Sequence, residues 1–507
     1  MAGTRRMFTI ADYVVFSLVL VVSAAIGVFY GCTGSKQSTT SEFLLADRKM
    51  QILPVAMSLL ASFMSAIMLL GTPAEIYMFG TQYTVIAIGY CMLAPVIAFL
   101  YVPIFYRLKL TSVYETMYLA IVLYAPSLAL NAVTGLNVWV SVFSVGCVCI
   151  FYTTIGGMKA VMWTDVFQIC MMLAGLLSVL IQSSINMGGL SNIIEAATKG
   201  NRIQFFDVNP DMGARHTVWS LTFGALFTWM AISGVNQTQV QRALSCPTLR
   251  NAQIAVLLNC PGLIVLLILT SLCGLAMYAH FKDCDPLLNG EIQASDQLLP
   301  LFVMQSIGHI PGLPGLFVAC LFSGTLSTIS SGLNSLAAVT IEDIVRGNLY
   351  PDVKESTATK LSKAFGVCYG VVMIVLTFVA AQMGAVLQAA LALFGILGGP
   401  LLGAFTLGIF FPKANWKGAV VGVLVALPLS LWIGLGAIIY HPPLPAPARS
   451  LSGCPSGNVT DNHANITLYR ENTTWLDDSV TDVPDYTTSG VRVPKSKLWS
   501  SSPDYKE

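Results

Sequence analysis

The stretch Leu321-Phe-Ser-Gly-Thr-Leu-Ser-Thr-Ile-Ser-Ser-Gly-Leu-Asn-Ser335 threads a ladder of hydroxyls through an apolar segment running from about Pro311 to Val339. On a helix, Ser323, Ser327 and Ser331 share one face with Thr328 beside them, because positions four apart stack. Hydrocarbon offers such a stripe no water, so it must face protein, a cavity or a ligand. A row of neutral oxygens without a carboxylate suits a small, hard, singly charged cation that has to bind and then leave. That chemistry points to transport, provided that the rest of the chain is built for a bilayer.

It is. Of the 507 residues, 10% are charged and 55% apolar, with a mean hydropathy of +0.72. A soluble domain carries about 25% charged residues, so an all-α polytopic membrane protein is predicted. A net charge of +1 argues against nucleic acid as a partner and leaves the lipid bilayer as the surrounding medium. Eleven apolar stretches are long enough to cross, at roughly 11–32, 54–79, 83–106, 136–155, 160–183, 217–240, 251–279, 312–340, 361–384, 386–411 and 417–440. A twelfth, 116–131, is marginal in length and interrupted by Pro126. The first stretch lacks a small-residue cleavage site and reads as a retained helix.

Everything past Tyr440 is polar, which divides the chain into a membrane domain, 1–440, and a tail, 441–507, read as largely disordered. If the N-terminus is outside and all twelve segments cross, the inner loops collect Lys36, Arg48, Lys49, Arg107, Lys109, Lys159, Arg242, Arg250, Arg346, Lys354, Lys360 and Lys413. The tail holds glycosylation sequons at Asn458, Asn465 and Asn472, which favour an external location. Twelve crossings from an external N-terminus also end outside. The expectation is a multi-pass plasma-membrane protein with its N-terminus and tail extracellular. Cys284 and Cys454 are the two cysteines placed clearly outside, and a disulfide and two separate thiols are equally open for them.

Polar groups within apolar spans are costly and therefore informative. Ala61-Ser-Phe-Met-Ser-Ala-Ile-Met-Leu-Leu-Gly-Thr-Pro73 combines hydroxyls with a Gly-Thr-Pro break, and Ala231-Ile-Ser-Gly-Val-Asn-Gln-Thr-Gln239 follows a weak Gly234 with amides. Interrupted helices in two halves of a chain are the usual pointer to a transporter site, because unwound carbonyls can coordinate an ion. Simple kinks, with Ser and Thr bonded back to their own helices, are the plainer alternative. Asp165 is placed at the start of a helix, where a dipole cap and an ion relay weigh equally. Glu75 and Tyr77 read as outer-rim residues, and Gly398-Gly-Pro400 as a hinge or packing point. No GxxxxGK[ST] or HExxH motif occurs and the five histidines are scattered, so neither an enzyme nor an ATP-driven pump is expected, and no cofactor.

Taken together, Pro73-Ala-Glu-Ile-Tyr77, Tyr124-Ala-Pro-Ser-Leu-Ala-Leu-Asn131, Gly157-Met-Lys-Ala-Val-Met-Trp-Thr-Asp165, Gly234-Val-Asn-Gln237, Pro311-Gly-Leu-Pro-Gly-Leu-Phe-Val-Ala-Cys320 and Ala337-Ala-Val-Thr-Ile-Glu-Asp343 resemble the solute:sodium symporter family. The likeness covers about residues 8–440 and is nearest to the sodium-coupled monocarboxylate branch, with iodide and multivitamin symporters as siblings. It implies a LeuT-type core of two inverted five-helix repeats with peripheral helices and one shortened core helix. It implies sodium as the co-transported ion, held by carbonyls of Ala61, Met64 and Gly324 and hydroxyls of Ser327 and Thr328. It places a small organic anion near Ser65, Met68, Tyr124 and Ser233, and Asp165 near the ion path. The sequence departs from the family pattern after Glu115, where a stretch is absent. It also departs at Met68, where relatives carry a polar side chain, and at Ser233, where they carry an aromatic one.

Overall fold

A computed structural model describes residues 8–32, 39–108, 116–211, 214–381, 386–440 and 446–454. The sequons at Asn458, Asn465 and Asn472 lie outside the described residues. Within these the chain is helical, with eight helices long and apolar enough to cross a membrane, or nine when one bent pair counts as a single span. The helices used below are α1 (Ile10–Cys32), α2 (Ile52–Phe63), α3 (Ala66–Phe79), α4 (Thr81–Tyr106), α5 (Thr116–Thr134) and α6 (Val138–Asn186). They continue with α7 (Ala225–Gly234), α8 (Gln237–Leu244), α9 (Leu249–Phe281), α10 (Leu298–Ile307), α11 (Leu313–Val339), α12 (Glu355–Ala380), α13 (Ala390–Phe410) and α14 (Trp416–Tyr440).

Each of the twelve expected segments is helical over most of its described residues. The stretches 136–155 and 160–183 follow one another as two helical arms of α6, broken at Gly157. Gly157 has φ 60 and ψ −170, a left-handed setting that a side chain resists. A Cβ there would also lie 3.0 Å from the Phe43 carbonyl. One glycine therefore turns the chain without a loop. Asp165 is in consequence not a helix start, as the sequence suggested, but lies two turns beyond the bend in continuous helix.

The hydroxyl-bearing α11 is the centre of the bundle, with 94% of its best apolar window buried, whereas none of the window in α14 is. A helix that is apolar on every side and unburied is one that faces lipid. α11 packs most extensively on α6, and also on α1, α5 and α2. Its N-terminus is held by α1: Asp12 Oδ1 accepts from the Gly312 and Gly315 N–H groups at 2.9 and 3.0 Å. A carboxylate suits the positive end of a helix. The backbones touch here, since a Cβ on Gly315 would fall 2.3 Å from the Asp12 carbonyl oxygen.

Of the two readings left open for Cys284 and Cys454, the structure shows the disulfide. It pins a strap, residues 446–454, to the loop after α9. Gly453 N–H donates to the Asp283 carbonyl at 2.8 Å, and Asp285 N–H to that of Ser450 at 2.9 Å. Glu75 and Tyr77, read as rim residues, are tied down by polar partners. Glu75 holds Arg215 at 2.6 Å and His216 at 3.0 Å. Tyr77 is buried and donates to Asp285 at 2.8 Å. Its carbonyl accepts from Arg202 Nε at 2.7 Å, and the Arg202 guanidinium lies 4.5 Å over the Tyr278 ring.

Candidate functional site

The helix pair α2–α3 breaks at Met64 (φ −83, ψ 68) and Ser65 (φ −70, ψ 167), with a bend of 58°. Such a break frees backbone carbonyls at the end of α2 and N–H groups at the start of α3. Gly324 of α11 is set against it: a Cβ there would stand 3.0 Å from the Met64 carbonyl oxygen and 3.1 Å from the Ala66 nitrogen. Glycine is needed because two backbones approach to contact. Gly324→Ala is expected to push α11 off the break and to lose most sodium-dependent uptake at unchanged surface expression, read by uptake against surface biotinylation.

Thr328, one turn along α11, donates from Oγ1 to the Ser62 carbonyl at 3.2 Å and to that of Gly324 at 3.0 Å. Ser327 donates to Asp165 Oδ1 at 2.5 Å. Both hydroxyls thus spend their proton on an acceptor, which leaves their lone pairs free to accept. Ala61 and Met64, which flank Ser62 and Phe63 in sequence, are buried at the same junction. Of the five residues named from sequence, Met64, Gly324 and Thr328 meet at the break, Ser327 turns to Asp165, and Ala61 lies one turn behind. Ser323 is buried, but its Oγ has no partner and lies outside this hydrogen-bonded group.

Behind the ladder lies a fully buried ion pair. Arg242 Nη2 meets Asp165 Oδ2 at 3.1 Å with both side chains at 0% exposure. Ser58 bridges the pair, donating to Asp165 and accepting from Arg242 Nε at 2.6 Å. Arg242 also bonds Ser331 of the ladder and the Thr238 carbonyl. Counting basic residues in loops placed Arg242 at the inner surface. The structure instead turns it inward on the half-helix α8, because a carboxylate in the core requires a cation. Sequence counting registers the charge of a residue and not the direction of its side chain.

The second break falls between Gly234 and Gln237, where Asn236 caps α8 by accepting from the Thr238 N–H at 2.8 Å. The two breaks face a shared cavity with an empty volume of about 580 Å³, mouth included. Ser65, Met68, Tyr118, Trp229, Asn236 and Thr328 are among its lining residues, and among the described residues no charged side chain lines it. Of the residues expected near the substrate, Ser65 and Met68 line it, beside Thr328. Tyr124 and Ser233 do not. Tyr124 is half-buried farther along α5, outside this lining, and Tyr118 occupies the position instead, donating to Ser65 Oγ at 3.3 Å. Ser233 is rotated about 100° from Ile232 on α7 and lines a different cavity. An aromatic hydroxyl heading the short apolar helix was the available signal for Tyr118.

Two interrupted helices facing one central, hydroxyl-bearing helix define an ion-coupled symporter of the LeuT type. The chain belongs to the sodium:solute symporter family, whose model matches residues 43–113 and 109–426. The two matches meet where the sequence departs from the family pattern. The chain is similar to sodium-coupled monocarboxylate transporter 2 of Bos taurus, 46% identical over 486 residues, covering 90% of this chain and 78% of the relative. It is similar to sodium-coupled monocarboxylate transporter 1 of Homo sapiens, 45% identical with 90% and 79% covered. To the sodium-dependent multivitamin transporter of Oryctolagus cuniculus it is 46% identical, with 85% and 71% covered. Among solved structures, a Na+-coupled sialic acid symporter in its substrate-bound outward-open state superposes with a TM-score of 0.73 at 22% identity, covering 87% of this chain and 99% of that one. That likeness shares the fold.

Proposed function

We propose that this protein carries small monocarboxylates, such as lactate, pyruvate, short-chain fatty acids and nicotinate, into the cell with sodium by alternating access. The observation that carries the reading is Thr328, whose hydroxyl reaches the Ser62 carbonyl at the helix break, next to Ser327, whose proton is engaged by Asp165. Sodium is held there by the carbonyls of Ala61, Met64 and Gly324 and by those two oxygens. Asp165 takes the Ser327 proton and so orients its lone pairs toward the ion, while Arg242 keeps the local charge balanced. The substrate lies beside Ser65, Met68 and Tyr118.

Coupling follows from the cavity's composition. Its lining has no cationic side chain, so the positive field for a carboxylate comes from the N-terminus of α3 and from the sodium ion itself. An empty ion site leaves the anion poorly held. Energetics set the stoichiometry: one sodium with one monoanion moves no net charge, and a tenfold sodium gradient then supplies about 1.4 kcal/mol. A second sodium adds the same again plus about 1.4 kcal/mol from about 60 mV. Strong accumulation therefore takes at least two ions per cycle.

The test is uptake of radiolabelled lactate and nicotinate in sodium or choline medium. Uptake is expected to fall at least tenfold in choline; equal flux in both media refutes the reading. The multivitamin relative favours a second reading, biotin or pantothenate (with iodide as a further sibling substrate), and competition by each against lactate separates them.

The protein resides in the plasma membrane with its N-terminus and glycosylated tail outside. The Cys284–Cys454 disulfide supports this, since such bonds persist in oxidising compartments. After mild reduction of intact cells, an impermeant maleimide is expected to label both cysteines. Labelling that requires permeabilised cells reverses the orientation.

A further inference from the structure

The second cavity, on the other side of the broken helix α7–α8, has an empty volume of about 590 Å³ with its mouth included. It lies between α4, α9 and the α7–α8 break. Two prolines explain the gap. Pro95 in α4 precedes a widened turn at Ile97–Tyr101, and Pro261 interrupts the hydrogen bonding of α9 beside Asn259 and Cys260. The walls are mostly apolar, with Leu93, Ile97, Phe105 and Leu263 prominent. Among the described residues no charged side chain lines the space, and its polar groups include Ser233 and Asn259. The Asn259 Oδ1 atom is buried without a hydrogen-bond partner. A buried amide oxygen left unmatched costs about 1–3 kcal/mol, and a ligand that donates to it recovers that cost.

We infer that this cavity is a binding site for an uncharged, largely apolar molecule carrying one hydroxyl or amide donor. The donor bonds Asn259 Oδ1 and the apolar body lies against α4 and α9. The sodium that would hold a carboxylate belongs to the α2–α3 break, where Ser62, Ser65 and Thr328 line the first cavity and not this one, so an uncharged occupant suits it. The site meets the first cavity at Gln239, which lines both. It borders the Gly234–Gln237 break, so an occupant fixes the angle between α7 and α8 and slows the transport cycle without competing for substrate. None of this depends on which solute is carried.

The experiment uses the full-length protein in nanodiscs with 4-phenylbutan-1-ol as probe, butylbenzene as its donor-free counterpart, and thermal unfolding as readout. The alcohol is expected to raise the unfolding temperature saturably. Ser233→Phe, which fills the cavity, abolishes the shift. Asn259→Leu weakens the alcohol's apparent affinity at least fivefold while leaving that of butylbenzene unchanged. As a measurement on unaltered protein, saturating alcohol slows N-ethylmaleimide alkylation of Cys260 at least fivefold but leaves Cys147, exposed on α6, unaffected. Displacement of the probe by cholesterol in the disc identifies the bilayer as the natural source; its persistence identifies an aqueous one. An undiminished shift in Ser233→Phe, unchanged alkylation of Cys260, or displacement by lactate with sodium overturns the inference.

Discussion

Replacing Arg242 with methionine is expected to destabilise the folded protein by about 3–5 kcal/mol, the cost of leaving one member of a buried ion pair alone. Asp165 would then be left at 0% exposure without its cation, with Ser58 and Ser327 as its remaining partners. The paired change Asp165→Asn with Arg242→Met removes both charges while keeping an oxygen for Ser327, so it is expected to recover folding to within about 1 kcal/mol of the parent. Its sodium affinity stays low, because a neutral amide holds the Ser327 proton less firmly than a carboxylate does. Thermal unfolding and surface yield of the two single variants and the double variant form a cycle that isolates the pair. A single Arg242→Met variant as stable as the parent would show that the pair bears little of the core's stability.

Removing the two hydroxyls has the larger effect on transport. Ser327→Ala and Thr328→Ala each delete one oxygen at the break, and each is expected to raise the sodium concentration for half-maximal uptake at least tenfold, or about 1.4 kcal/mol. Together they are expected to abolish sodium-dependent uptake. Thr328→Ser keeps the oxygen and should stay near the parent, which separates ligand loss from altered packing. Surface expression is expected to hold, since each alanine occupies less space on a helix whose backbone bonds are intact. Sodium activation curves for the four variants make the measurement. An unchanged half-maximal concentration in Thr328→Ala would remove that oxygen from the ion site.

Much of the fold was legible because a bilayer restricts the choices. Apolar runs of about 20 residues have one solution, the helix, and the hydroxyls of 61–73 and the amides after Gly234 are in plain view. The first break, however, falls at Met64–Ser65 and not at Gly71-Thr-Pro73, which lies inside α3. The tight turn at Gly157 between the two arms of α6 was not legible, because a lone glycine reads equally as a loop or as a bend. That Tyr118 and not Tyr124 lines the first cavity, and that Ser233 lines the second, was hidden for a related reason. A helix presents a new face with each 100° step, and one position decides which cavity a side chain enters.

What the residues settled unaided was the solvent and the chemistry: lipid around the chain, and a row of neutral oxygens suited to an alkali ion. Tertiary structure alone decided that Arg242 turns inward to Asp165, that Gly324 lets two backbones touch, and that Cys284 reaches Cys454. Each of these joins positions far apart along the chain. Local periodicity fixes which face a group occupies, but the partner it meets there depends on how separate helices pack.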